Sequence, residues 1–98
     1  MAEQLIDTFI EKLLDFDLQI REKRGLNEAL HEELIELLKQ IKPRLEGQHA
    51  IPKKLAEVFL DMWGPITSSA DMYDSAMRQK IYEAADQLCW YARDICTS

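Results

Sequence analysis

The most regular hydrophobic pattern of the chain lies in residues 70–95, which read ADMYDSAMRQKIYEAADQLCWYARDI. Its apolar side chains recur every three or four residues, which is the spacing of one face of an α-helix and of a coiled coil. They are Ala70, Tyr73, Met77, Ile81, Ala84, Leu88, Tyr91 and Ile95. At 1.5 Å per residue, this stretch predicts one long C-terminal helix of about 40 Å.

Three shorter helices are predicted before it. The first covers residues 3–24, where apolar side chains form one stripe, and Gly25 ends it. The second begins near Asn27, a favourable N-cap, and runs to about Pro43, and the third covers residues 52–63. Because the connections are short, sequence neighbours should run in opposite directions. The predicted fold is all-α: an antiparallel four-helix bundle with a long C-terminal helix.

Two finer expectations concern the third helix and the start of the fourth. Apolar side chains cover more than half the circumference of the third helix, so we expect it to be the most buried element and Trp63 to belong to the core. Gly64-Pro65 should close this helix. Residues 68–71, Ser-Ser-Ala-Asp, have the form of a capping box and predict that the fourth helix begins there.

Length and charge limit the classes of function. The chain has 98 residues, so residues 1–98 should form a single helical domain. Twelve basic and eighteen acidic side chains give a formal charge of −6, which repels phosphate backbones and anionic lipids. We therefore expect no nucleic acid and no membrane as partner. The first residues lack the basic and apolar regions of a signal peptide, and Cys89 and Cys96 lie too far apart on one helix to bridge, so a cytoplasmic location is predicted.

Residues that commonly carry chemistry do not form a recognisable catalytic pattern. The histidines, His31 and His49, lack partners at metal-ligand spacing. Ser68 and Ser69 lie where helix capping explains them, and the three glycines are isolated from one another. We therefore predict no catalytic residue, no metal site and no cofactor, and we expect the protein not to be an enzyme.

One carboxylate pattern supplies an alternative. Residues 32–36, Glu-Glu-Leu-Ile-Glu, fit Glu-Glu-x-x-Glu, and residues 83–86, Glu-Ala-Ala-Asp, fit Glu-x-x-Asp. Together they resemble the two motifs of the all-helical MazG-like nucleotide pyrophosphohydrolases. In that family the carboxylates of two helices hold Mg²⁺, which bridges the phosphates of the nucleotide. The resemblance implies a Mg²⁺-dependent nucleotide pyrophosphohydrolase.

Acidic side chains form two ribs at successive i+4 positions. The first helix carries Glu3, Asp7, Glu11 and Asp15, and the second helix carries Glu28, Glu32 and Glu36. Like-charged neighbours at this spacing cost about 0.2–0.5 kcal/mol per pair, so stability alone would favour interleaved lysines. The ribs predict an electrostatic landing surface for a basic partner. Ordinary solvated helix faces are the alternative interpretation.

Trp90 lies off the apolar ladder of the fourth helix, on the side that carries Glu83, Asp86 and Asp94. Tryptophan is strongly enriched at the centres of protein interfaces. These four residues are therefore predicted to form a further part of the partner-binding surface. A singly exposed aromatic side chain, or a helix that buries two faces, is the alternative.

These observations predict a small acidic helical module that binds a protein with a basic surface. An immunity or antitoxin protein that neutralises a basic toxin or nuclease is one role that fits this size and charge. Two alternatives stand beside it: the Mg²⁺-dependent hydrolase above, and a structural homodimer formed through the long fourth helix.

Overall fold

A computed structural model describes residues 2–48 and 50–97 of the chain. Within these residues the fold contains helices and no strand, which confirms the all-α prediction. The helices are α1 (Ala2–Arg21), α2 (Glu28–Leu45), α3 (Lys53–Asp61), α4 (Trp63–Ala70) and α5 (Ser75–Thr97). Helix α5 has 23 residues, so its rise of about 35 Å follows most of the 42 Å long axis of the molecule.

The core forms where the apolar stripes of the helices meet. In α1 the stripe steps by three or four residues, as the sequence pattern predicts, and Phe9 and Phe16 are fully buried. Helix α1 packs against α2 and α4, and α5 packs against the same two helices. The short α3 packs mainly against α1 and α4. The buried apolar side chains of α2 and α5 are Leu30, Leu34, Ile35, Leu38, Ile41, Leu45, Ile81, Ala84, Ala85, Leu88, Ala92 and Ile95.

The predicted third helix is correct in place but wrong at its end. Helix α3 stops at Asp61, and after the single residue Met62, which keeps helical angles of φ −80° and ψ −36°, the chain continues as α4. Pro65 is the third residue of α4. A proline is tolerated there, because the N–H groups of a first helical turn have no intrahelical partner. Gly64-Pro65 therefore lies inside a helix and does not terminate one.

The predicted capping box at residues 68–71 is also wrong. Ser68, Ser69 and Ala70 are the last residues of α4, and Asp71 follows as its C-cap. Helix α5 begins four residues later, where Asp74 Oδ1 accepts a hydrogen bond of 2.9 Å from the backbone N–H of Met77. This side chain satisfies a free N–H of the first turn of α5.

Burial in the third helix differs most from expectation. Only Leu55 is buried in α3, and Leu60 is 85% exposed. The reason is that the nine-residue α3 packs mainly on α1 and α4, so Val58 and Phe59 are only half-buried against the core and Leu60 faces solvent. Trp63 is 43% exposed instead of belonging to the core, and its indole Nε1 donates a hydrogen bond of 2.9 Å to Asp86 Oδ1.

The turn after α1 is fixed from a distant part of the chain. Lys23, with φ +62°, follows α1 in the left-handed conformation, and the N–H of Arg24 donates to the carbonyl of Gln19 at 2.9 Å, as in a Schellman motif. The hydroxyl of Tyr73 then donates to the carbonyl of Ile20 at 2.7 Å and accepts from the N–H of Gly25 at 3.1 Å. The end of α1 is thereby joined to the segment before α5.

Candidate partner-binding surface

A shallow groove follows the contact between α2 and α5. At its first end Glu28 and Glu32 of α2 face Glu83 of α5. The groove continues past Glu36 and Gln87 and reaches the side chain of Trp90 through a depression that Lys39 also lines. This surface, from Glu28 and Glu83 to Trp90, is the α2–α5 groove. It brings together predicted site residues from two helices that are distant in the sequence.

The α2 rib keeps its carboxylates free within this groove. Asn27 fixes the start of the helix, because its Oδ1 accepts a hydrogen bond of 3.0 Å from the N–H of Leu30. Glu28 and Glu32 form no ion pair with any other described residue, and Glu36 lies 4.0 Å from the ammonium of Lys39. These carboxylates are exposed to solvent. A positive charge that approaches from outside would therefore find the rib largely uncompensated.

Glu83 and Trp90 extend the groove along α5. They are seven residues apart, so they lie on nearly the same side of the helix. Glu83 accepts a hydrogen bond of 3.2 Å from the side-chain amide of Gln79. Trp90 is 61% exposed, and its ring meets the Tyr91 ring edge-on at a centroid distance of 5.0 Å. The indole is thus held in place by a neighbour while most of its surface faces solvent.

The surroundings of Trp90 differ from the expected acidic patch. Lys39 and Lys42 line the depression beside the indole. The ammonium of Lys42 lies 2.8 Å from a carboxylate oxygen of Asp94, and this hydrogen bond raises the pKa of Lys42. Asp94 is therefore already paired within the chain. The groove changes from acidic at its Glu28 end to mixed charge at its Trp90 end.

Asp86, the remaining predicted residue of α5, lies away from the groove. Its carboxylate accepts the hydrogen bond from the indole of Trp63, and the Trp63 ring packs edge-on against Tyr82 at 6.1 Å. This contact links α5 to α4. Asp86 is therefore engaged on the α4 side of α5, whereas Trp90 lies on the α2 side.

The α1 rib is also placed elsewhere. Lys54 of α3 lies 3.4 Å from Glu3 and 2.6 Å from Asp7, and these contacts raise the pKa of the lysine, the hydrogen bond to Asp7 most of all. Asp15 accepts a hydrogen bond of 3.2 Å from Gln19. Glu11 has no ion pair among the residues described. This rib is therefore partly used to hold α3 on α1.

His31 is a groove residue that the sequence did not single out as a binding residue. It lines the acidic end, where its ring stacks on Phe16 at a centroid distance of 6.1 Å. Its Nε2 is buried and has no hydrogen-bond partner among the described residues. Burial lowers the pKa of His31, although the backbone of Ala84 and the carboxylates of Glu32 and Glu28 act in the opposite direction. The imidazole is thus a neutral wall of the groove near pH 7.

The carboxylates of the two segments that resemble hydrolase motifs, residues 32–36 and 83–86, contact different neighbours. Glu33 lies 2.8 Å from the ammonium of Lys12 on α1, whereas Glu32 and Glu36 face α5. Asp86 is bound to Trp63, away from Glu83. Across residues 2–48 and 50–97 there is no group of three acidic, histidine or cysteine side chains positioned to hold a metal ion.

Comparison of the chain with protein-family models, with curated proteins and with solved structures gives no match. In the described part of the chain, each helix is too short or too polar to cross a membrane.

Proposed function

We propose that this protein is an acidic interaction module that binds the basic surface of another protein along the α2–α5 groove. The observation that supports the proposal best is that carboxylates without an ion pair from two helices, Glu28 and Glu32 on α2 and Glu83 on α5, line the same groove. This groove ends at the exposed indole of Trp90. Lys80 also lines the acidic end, so an incoming partner would meet three carboxylates against one ammonium there.

The two ends of the groove suit two steps of binding. Uncompensated carboxylates attract a positively charged partner over several ångströms and raise the association rate, an effect that falls as salt rises. Trp90 then offers a large, rigid apolar surface that gains free energy when a partner covers it. The net charge of −6 also disfavours nucleic acid as the bound molecule.

The relative directions of the helices place α2 and α5 side by side along the groove. Lys12 pairs with Glu33, and Trp63 with Asp86, as expected if α1 runs antiparallel to α2 and α4 runs antiparallel to α5. We infer an antiparallel bundle in this sense, with α5 as its long C-terminal helix. His31, near the start of α2, lies beside Ala84 of α5. Lys42, near the end of α2, pairs with Asp94, which lies further along α5, so α2 and α5 run side by side in the same direction.

A specific role consistent with this surface is the neutralisation of a basic toxin or nuclease in the cytoplasm, as immunity and antitoxin proteins do. A module of this kind covers a positively charged active surface with its own carboxylates. The homodimer alternative has less support, because Ile81, Ala84, Leu88 and Ile95 of the α5 ladder are buried within one chain. A dimer would have to use another face.

The test compares capture of a partner by matched charge-reversal variants. Glu32→Lys and Glu11→Lys make the same change at the centre of the α2 and α1 ribs, since each glutamate has acidic residues four positions before and after it. Immobilised wild type, both variants and Trp90→Ala are exposed to a native lysate of the source cells at low salt, and the retained proteins are quantified by mass spectrometry.

The proposal expects one basic protein to be retained by wild type and by Glu11→Lys, and to be lost from Glu32→Lys and from Trp90→Ala. Moderate salt should elute it. Equal retention on all four columns would exclude the α2–α5 groove as the binding surface. Loss with Glu11→Lys alone would move the surface to the α1 rib.

A further inference from the structure

A second groove, lined mainly by apolar side chains, lies between α1 and the α3–α4 segment. Its volume is about 330 Å³. The apolar lining comes from both sides: Ile10, Leu13 and Leu14 of α1, and Val58, Met62 and Ile66 of the α3–α4 segment, with Pro65 beside them. The groove exists because the short α3 does not cover the whole apolar side of α1 that faces it.

The apolar lining continues onto exposed surface. Leu14 is 62% exposed and Leu18, one turn later in α1, is 42% exposed. These two residues are off the stripe that builds the core. A large apolar side chain that stands singly on a surface needs no explanation, but exposed leucines next to an apolar groove form a contiguous patch of the kind that marks a binding site.

The rim of the groove is acidic. Asp17, Glu57 and Asp61 line it, and no lysine or arginine does among the residues described. Glu57 and Asp61 form no ion pair within residues 2–48 and 50–97. The guanidinium Nε of Arg21 lies 3.2 Å from Asp17 Oδ2, whereas Asp17 Oδ1 is buried and has no hydrogen-bond partner among the described residues. Glu57 and Asp61 are therefore the rim carboxylates that an incoming cation would find without an ion pair, beside the already paired Asp17.

We propose that this groove binds an amphipathic α-helix of another protein, with its apolar face on the groove floor and its lysines or arginines against Asp17, Glu57 and Asp61. An apolar cleft between two helices accepts side chains spaced at i, i+3 or i+4, and i+7, which one face of a helix provides. A second copy of this chain is disfavoured, because each copy carries a charge of −6 and would bring further carboxylates to an acidic rim.

Helix binding in the apolar groove is independent of binding at the α2–α5 groove. The two surfaces lie between different pairs of helices, so each can be removed by substitution without touching the other.

The probe is a fluorescent peptide of about 18 residues, long enough to form a helix on binding. It carries leucines at helical spacing on one face and lysines on the other. Two control peptides separate shape from charge. One has the same composition with the leucines scrambled, and the other keeps the apolar face and replaces each lysine by glutamate. Binding to the full chain is followed by fluorescence anisotropy.

Leu14→Asp and Leu60→Asp form a matched pair of variants. Both residues are exposed leucines, and both changes add one negative charge, but only Leu14 lines the groove. Glu57→Lys and Glu11→Lys form a second pair, in which only Glu57 lies on the rim. Circular dichroism confirms that each variant keeps its helix content before the titration.

The lysine peptide should bind, and the scrambled and glutamate peptides should bind at least tenfold more weakly. Leu14→Asp and Glu57→Lys should each raise the Kd at least fivefold, whereas Leu60→Asp and Glu11→Lys should change it less than twofold. The proposal is overturned if the scrambled peptide binds equally well, or if both members of a pair lose the same affinity. Self-association abolished by Leu14→Asp, without peptide binding, would identify a second copy as the occupant instead.

Discussion

Tyr73→Phe tests how the start of α5 is joined to the turn after α1. The substitution removes only the hydroxyl, which donates to the carbonyl of Ile20 at 2.7 Å and accepts from the N–H of Gly25 at 3.1 Å. The carbonyl of Ile20 keeps a second donor, the N–H of Lys23 at 3.1 Å. The N–H of Gly25 loses its partner.

The size of the effect follows from this difference. An ordinary hydrogen bond contributes about 0.5–1.5 kcal/mol net, and a buried donor left without a partner costs about 1–3 kcal/mol. Gly25 and Tyr73 are half-buried, so water can partly replace the hydroxyl and the lower part of the range applies. We expect the free energy of unfolding to fall by about 1–2 kcal/mol. For a domain of this size that lowers the Tm by about 5–15 °C.

Urea and thermal unfolding followed by circular dichroism measure this loss. Tyr82→Phe is the matched control, because Tyr82 is also half-buried and its ring packs on Trp63, while its hydroxyl has no hydrogen bond to any described residue. It should stay within about 0.5 kcal/mol of wild type. Amide hydrogen exchange at Gly25 should accelerate only in Tyr73→Phe. Equal stability of the two variants, with unchanged exchange at Gly25, would refute the assigned role of the Tyr73 hydroxyl.

Three further predictions concern single side chains. Burial lowers the pKa of His31, so the unfolded state binds more protons than the folded state below about pH 6.5. The free energy of unfolding should therefore fall as the pH is lowered from about 7.5 to 5.5, and it should fall less steeply in His31→Gln. An identical pH profile for the variant would contradict this. Lys23→Gly should stabilise the fold by about 0.5–1 kcal/mol in urea unfolding, since Lys23 has φ +62°, and a destabilised variant would show that the left-handed conformation carries no strain. Iodoacetamide at about pH 8 should label the exposed Cys96 before Cys89, because half-burial raises the thiol pKa of Cys89. Peptide mass spectrometry measures the order of labelling, and the reverse order would count against the half-buried position of Cys89.

Helical periodicity predicted the fold class and most of the core. The stripe of α1 is buried as expected, and so are Ile81, Ala84, Leu88 and Ile95 of the C-terminal ladder, because an amphipathic helix packs its apolar face against its neighbours. Tyr73, Met77 and Tyr91 of that ladder are half-buried. The same pattern fails for α3, whose apolar side chains cover more than half of its circumference. Periodicity shows which sides of a helix are apolar but not how many neighbours will cover them. Trp63 was therefore expected in the core but lies at the surface, as does Leu60 of the helix expected to be the most buried.

The candidate site was predictable only in part, because charge compensation depends on distant contacts. The sequence shows that Glu3 and Asp7 form a rib, but not that Lys54, about 50 positions away, reaches both. It places Asp86 beside Trp90 on one helix, but the hydrogen bond to Trp63 engages Asp86 on the other side. The apolar groove had a visible signal in the sequence, since Leu14 and Leu18 fall off the stripe of α1.

The dissociation constant of the captured basic partner, measured by calorimetry for wild type, Glu32→Lys and Glu11→Lys at several salt concentrations, tests the role of the α2–α5 groove most directly. We expect Glu32→Lys to raise the Kd at least tenfold, about 1.4 kcal/mol, and to flatten its salt dependence, while Glu11→Lys stays within about twofold of wild type. Equal Kd values and equal salt slopes for all three proteins would contradict it.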